Sequence, residues 1–215
     1  VISERTKRLY YNILYPSVMI GTKKVNGSGV VISSKKKEDQ YEIYILTNYH
    51  VISSSIESKS IKVTFFRYGN WCAVEEEVIK DVEIVGYNKK LDLALLKLYL
   101  DTNHSSVCFY SGKLTDIHIF NKVYACGCSL GYSPIVTSGY VSRVNEQEDN
   151  RWIVTSPVTD GSSGSGVYLV KNNQLIGIAC ETGTTGKNID VDHICFIIPV
   201  NIIKKFLKKY LKKDL

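Results

Sequence analysis

The sequence predicts an all-β fold: two packed six-stranded antiparallel β-barrels followed by a C-terminal amphipathic α-helix. Three observations predict it. Short runs rich in β-branched and aromatic residues, bounded by turn formers, recur along nearly the whole chain. A polar stretch, Asp101-Thr-Asn-His-Ser-Ser106, divides them into about six before and about six after. Only the last segment switches to helical spacing. Many short strands with turn signals argue for sheets closed on themselves, because closure removes aggregation-prone edges. The expected boundaries are 1–105 for the first barrel, 106–120 for a linker, 121–200 for the second barrel and 201–215 for the helix.

In chain order, the first barrel draws on Gly27-Ser-Gly-Val-Val-Ile-Ser33, Tyr41-Glu-Ile-Tyr-Ile-Leu-Thr47, Ile61-Lys-Val-Thr-Phe-Phe66, Val82-Glu-Ile-Val85 and Leu93-Ala-Leu-Leu-Lys-Leu98. The second draws on Lys122–Cys126, Ile135–Val141, Trp152–Thr155, Gly166–Val170, Gln174–Ala179 and His193–Ile198. Lys171-Asn-Asn-Gln174 reads as a hairpin turn between two of these. Asn201 is the expected cap of the helix, in which Ile202, Ile203, Phe206, Leu207, Tyr210 and Leu211 share one face. Lys204, Lys205, Lys208, Lys209, Lys212 and Lys213 occupy the other.

Composition excludes several classes. With 215 residues, 44% hydrophobic and 22% charged, the chain is neither disordered nor collagen-like. No apolar run approaches the roughly 18 residues that span a bilayer. The formal charge of +6 invites a nucleic-acid or anionic-membrane reading, but it is unevenly placed. The last fifteen residues hold six lysines and one aspartate, whereas the preceding 200 hold 21 basic and 20 acidic residues. Any nucleic-acid or anionic-membrane contact is therefore expected through 201–215, and the simpler expectation is a helix packed on the second barrel with solvated lysines.

Six cysteines, at 72, 108, 126, 128, 180 and 195, are too sparse for a disulfide scaffold. With no secretion signal at the start, they favour reduced thiols and an intracellular setting. Cys126 and Cys128 with His193 and Cys195 would supply four zinc ligands by type. Small thiols alternating along strands are the plainer reading, and no metal or cofactor is expected.

Three segments place reactive side chains at strand ends. His50 directly follows the strand ending at Thr47. Asp92 leads into an almost continuous apolar strand, where an unpaired carboxylate would cost several kcal/mol, and a histidine donating Nδ1–H would compensate it. Asp160-Gly-Ser-Ser-Gly-Ser-Gly166 precedes another strand, and its glycines let the backbone turn tightly around Ser163. Successive N–H groups in such a turn can converge on one anion. His, Asp and Ser in that order along an all-β chain match one of the known triad orders.

With these stretches, the sequence resembles trypsin-like (chymotrypsin-fold) serine proteases, nearest to the HtrA and staphylococcal glutamyl-endopeptidase branches. Gly27–Ser33, Leu46–Ile52, Asp92–Lys97, Val136–Ser142, Gly161–Ser165 with Leu175–Ile178, and Phe196–Pro199 carry the likeness from about residue 17 onward. The resemblance implies His50 as general base, Asp92 as its orienting carboxylate and Ser163 as nucleophile, with the N–H groups of Gly161 and Ser163 as oxyanion hole. Ser162 and Ser165 are rival nucleophiles, but only Ser163 fits the family's G-x-S-G pattern. The S1 pocket is expected from Pro157, Val158, Thr159, Ala179, Cys180, Glu181 and Thr182, with His193, Ile194 and Phe196 contributing.

The departures are informative. Ser162 stands where digestive trypsins carry the Asp that pairs with a new N-terminus, so activation by that ion pair is not expected. No PDZ domain, usual in HtrA proteins, is expected in this chain. The substrate class implied is polypeptide, with processing of a viral polyprotein as one setting. A protease-fold module binding RNA or anionic membrane through its basic helix is the alternative.

Overall fold

The computed structural model describes residues 2–58, 60–144, 151–184 and 190–211. The chain opens with α1 (Glu4–Leu9), capped by Ser3, whose Oγ accepts the Thr6 N–H, and continues through a π-helical turn at Tyr10–Leu14. The first half then builds β1 (Ser17–Gly21), β2 (Asn26–Lys37), β3 (Gln40–Thr47), the short α2 (Tyr49–Ile52), β4 (Lys62–Gly69), β5 (Ala73–Ile79), β6 (Glu83–Asn88) and β7 (Leu93–Leu100). These strands form one antiparallel sheet in the order β5-β4-β1-β2-β3-β7-β6. Seven strands stand where about six were expected; the five runs named from the sequence are β2, β3, β4, β6 and β7, and β1 and β5 are additional to them.

The second half builds β8 (Lys122–Gly127), β9 (Ile135–Arg143), β10 (Trp152–Val154), β11 (Gly166–Leu169), β12 (Leu175–Thr184) and β13 (Asp190–Pro199). They close into a six-stranded barrel in the order β10-β13-β12-β11-β8-β9. The β11–β12 turn is the expected hairpin at Lys171–Gln174: Asn173 takes a left-handed φ of 58°, and the Leu169 N–H donates to the Gln174 carbonyl.

The two halves form a chymotrypsin-like double barrel, and each has its own core. Val18, Ile20, Ile43, Ile45, Phe65 and Leu96 fill the first, and Val123, Val141, Trp152, Val167, Ile176 and Ile197 the second. A third cluster lies between them, drawing Leu46, Leu93 and Leu95 from one side and Tyr168, Leu175 and Ile178 from the other. Full burial of each such side chain contributes roughly 1.5–3 kcal/mol.

The last element, α3 (Val200–Tyr210), completes this third cluster with Ile203, Phe206 and Leu207. Tyr210 reaches back to the first half, where its hydroxyl donates to the Tyr87 carbonyl and its ring fills the space a Cβ on Gly86 would take. The apolar face of the helix is thus covered by the protein's own two halves, while Lys205, Lys208 and Lys209 stay exposed. Asn201 does not cap it. The N-cap is Pro199, with Asn201 inside the first turn and its Oδ1 buried without a partner. Proline's fixed φ makes it a ready entry to a helix, so the element starts two residues earlier than a capping Asn201 would dictate. Lys212 and Lys213 lie outside the described residues.

All six cysteines are free, with Cys72 and Cys108 exposed and the other four buried. Among the described residues, no three His, Cys, Asp or Glu side chains gather as a metal site would require. No described helix is long and apolar enough to cross a membrane.

Candidate active site

The short α2, which follows β3 directly, carries His50, and the turn into β7 carries Asp92. The two side chains meet: His50 Nδ1 lies 2.8 Å from Asp92 Oδ2, and the His50 backbone N–H donates to Asp92 Oδ1 at 2.9 Å. Asp92 adopts a left-handed φ of 57°, a region that Asp tolerates better than most residues, and this aims its carboxylate back across the sheet. Asn48 Nδ2 donates to the Asp92 carbonyl at 3.0 Å and fixes that turn to the residues before His50. The Asp92 side chain is 15% exposed and that of His50 47%, so the carboxylate is shielded while the imidazole faces solvent.

The loop between β10 and β11 holds the three serines. Ser162 and Ser165 are each only 2% exposed, whereas Ser163 is part-exposed. Ser162 Oγ is spent on the Thr159 N–H and on Ser129 Oγ, 2.7 Å away. Gly161 and Gly164 take φ of 85° and 92°, open only to glycine at low cost. Close approach adds to the requirement at Gly164, where a Cβ would stand 1.9 Å from the Ser28 carbonyl oxygen.

An account of the loop's N–H groups is informative. Ser162 donates to the Thr159 carbonyl, Gly164 to that of Ala179 and Ser165 to that of Ser162. The N–H groups of Gly161 and Ser163 donate to no acceptor among the described residues. Within Gly161–Ser165 the two free donors therefore belong to the part-exposed serine and to the glycine two residues before it.

Beside this loop lies a cavity of about 270 Å³, lined by residues 158–163 and by Ala179, Cys180, Glu181 and Thr182. Val158, Thr159 and those four were expected there. Pro157, His193 and Ile194 were expected too and do not line it. Pro157 is exposed, and its carbonyl accepts from Thr137 Oγ1 of β9. The β12–β13 ladder shifts register between Ala179 and Glu181 and again between Thr182 and Gly183. Bulges of this kind re-aim side chains: His193 ends exposed, and Ile194 packs over Gly183. Burial pushes the Cys180 thiol up to about 12. Arg151 Nη1 donates to its sulfur at 2.6 Å and stands 3.7 Å from the Glu181 carboxylate.

The model of the trypsin-like peptidase domain matches residues 27–178, which span His50, Asp92 and the serine loop. The chain belongs to this family. Among curated relatives, a serine protease HtrA-like protein of Staphylococcus epidermidis is 31% identical over 202 residues, covering 85% of this chain and 30% of its own. The serine protease Do-like HtrA of Bacillus subtilis is 28% identical, covering 89% and 40%. The periplasmic serine endoprotease DegP of Escherichia coli is 26% identical, covering 83% and 34%. The chain thus spans well under half the length of these relatives. The solved serine endoprotease of Yersinia pestis superposes with a TM-score of 0.72 at 23% identity, over 99% of this chain and 68% of that one, which shows the shared fold.

This trypsin-like peptidase domain also uses residues that the sequence did not single out. Ser28, on β2, donates its N–H to the Ser163 carbonyl at 2.7 Å and its Oγ to the Gly161 carbonyl at 2.7 Å. The Leu130 N–H donates to the Asp160 carbonyl at 2.7 Å, from a residue whose own φ is 55°. These contacts join positions some 30 to 135 residues apart in the chain, so no local pattern announces them.

Proposed function

We propose that this chain is a serine endopeptidase that hydrolyses peptide bonds of a polypeptide substrate through an acyl-enzyme. Ser163 is the nucleophile and His50 the general base. Asp92 keeps the proton on Nδ1, so that Nε2 is free to accept the Ser163 hydroxyl proton as Oγ attacks the scissile carbonyl carbon. The oxygen of the tetrahedral intermediate takes the N–H groups of Gly161 and Ser163, a contribution of roughly 3–4 kcal/mol per donor in comparable sites. The imidazolium then protonates the leaving amine, and a water molecule repeats the sequence to release the acid. The cavity at 158–163 and 179–182 receives the side chain on the acyl side of the bond.

One observation carries this reading: the only part-exposed serine of the loop lies in the tight turn Gly161–Ser165, where its own N–H and that of Gly161 are left unspent among the described residues. The paired His50 and Asp92 supply the proton acceptor such a serine needs. The test is labelling with a fluorophosphonate probe and hydrolysis of denatured casein by wild type and Ser163→Ala. Wild type is expected to label at Ser163 and to cleave, and the variant to do neither. An unlabelled, inactive wild type would end the proposal.

A further inference from the structure

We infer that Ser28 is a positioning residue for the oxyanion hole, holding from the opposite half of the molecule the carbonyls of the two residues, Gly161 and Ser163, whose N–H groups form it. The inference rests on the peptidase reading of Ser163. Ser28 is fully buried on β2 of the first half and makes four polar contacts. Its N–H donates to the Ser163 carbonyl, and its Oγ donates to the Gly161 carbonyl and accepts the Cys128 N–H, each at 2.7 Å. Its own carbonyl accepts Thr47 Oγ1 at 2.7 Å, which ties it to the strand leading to His50.

The logic is that of rigid peptide planes. In a trans peptide, carbonyl and N–H point in opposite directions, so holding one aims the other. The Leu130 N–H holds the Asp160 carbonyl and thereby aims the Gly161 N–H. Ser28 Oγ holds the Gly161 carbonyl in the next plane, whose Ser162 N–H goes to Thr159. With both planes flanking the Gly161 Cα held, its left-handed conformation is fixed. At Ser163 the Ser165 N–H holds the Ser162 carbonyl, in the plane that carries the Ser163 N–H, and the Ser28 N–H holds the Ser163 carbonyl in the next plane, so both planes flanking the Ser163 Cα are held as well.

A hydroxyl is needed because one atom must both donate to Gly161 and accept from Cys128, and Gly127 leaves it room: a Cβ there would stand 2.6 Å from Ser28 Oγ. Replacing Ser28 by alanine strands a buried carbonyl and a buried N–H. The plane that satisfies them by rotating is the one beside Gly161.

Removing one oxyanion donor outright costs about 10²–10³ in rate in comparable sites. Displacing it is expected to cost Ser28→Ala about 10- to 100-fold. The experiment is the saturation kinetics of fluorophosphonate labelling on the full chain, well below each variant's Tm. The control is Ser17→Ala, which deletes an equally buried hydroxyl that donates to the Ile13 carbonyl at 2.8 Å, away from the loop.

The expected result is a fall in kinact for Ser28→Ala with KI within about twofold of wild type, while Ser17→Ala loses Tm but labels at the wild-type rate. Equal kinact in the two variants would overturn the inference. Should Ser28→Ala not fold, Ser28→Cys, which keeps a weaker donor in place, is read by the same criterion. A wild type that does not label at Ser163 refutes the peptidase reading first, and the positioning role with it.

Discussion

Asp92→Asn isolates the role of the carboxylate from that of the backbone. Position 92 sits at a φ of 57°, which asparagine tolerates as well as aspartate does, whereas alanine there adds strain that would confuse the result. The Asn carbonyl oxygen can still accept the His50 N–H, now at 2.9 Å from Asp92 Oδ1. Its amide group then faces His50 Nδ1, where Oδ2 stands at 2.8 Å. An amide donor at that point forces the ring to carry its proton on Nε2, so it can no longer take one from Ser163. The same change in a Ser-His-Asp triad costs roughly 10⁴ in kcat, or about 5.4 kcal/mol at 1.36 kcal/mol per tenfold. Because the imidazole is 47% exposed, the pair adds little to folding, and stability should change by only about 1 kcal/mol. The assay pairs casein hydrolysis and probe labelling with a thermal melt. A folded Asp92→Asn protein working within tenfold of wild type would refute the assignment of Asp92.

Two further outcomes follow from the packing. Phe206→Ala removes a ring that is 4% exposed in the cluster between the two halves, and it should cost about 3–5 kcal/mol, read as a lower urea midpoint. An unchanged midpoint would show that α3 does not brace the two halves. Alkaline pH should also destabilise the fold. Burial raises Cys126 and Cys180 to about 12, and Cys128 and Cys195 higher still, against an ordinary value near 8.5. Their contribution is complete below about pH 8.5. As pH rises towards 12, the unfolded chain releases thiol protons that the folded chain keeps, so stability falls by up to about 1.4 kcal/mol per pH unit for each thiol. Urea midpoints at pH 7.5 and pH 10 check this, and Cys195→Ala should show the smaller fall.

What the sequence made legible has a physical pattern. Buried strands such as β3 and β7 announce themselves by near-continuous apolar runs. The Asp92–His50 contact was foreseeable because a carboxylate entering such a run needs a partner. β5 escaped because Ala73-Val-Glu-Glu-Glu-Val-Ile79 lies at a sheet edge with Glu75, Glu76 and Glu77 outward or at the rim, so no apolar face marks it. α1 escaped because it buries no residue and hence shows no stripe. The glycines of the nucleophile loop were legible because left-handed φ needs them. That Pro157, His193 and Ile194 stand outside the cavity beside Ser163 was not legible, because register shifts in the β12–β13 ladder and the course of the chain beside β9 are tertiary facts with no local signature.

Apart from the Leu130 contact to Asp160, the contacts that sequence could not foresee share one direction: they run from the first half into the Ser163 loop of the second. Ser28 and Thr47 press on Gly161, Ser163 and Gly164, and Gly27 leaves only the space of a hydrogen between Val51 and the Ser163 carbonyl. His50 and Asp92 come from the first half as well. The second barrel alone therefore holds Ser163, the two N–H groups and the Leu130 contact, but neither the proposed base, His50, nor the Ser28 contacts. In the proposed mechanism, docking of the halves is what completes the anion site of this glycine-rich loop. The elements that secure docking, the third apolar cluster and α3 across it, lie away from the cavity yet govern it. A small opening between the halves would release Gly161 and Ser163 from Ser28 and separate His50 from Ser163 at once, while both individual cores remained intact. Activity should accordingly be lost before either half melts.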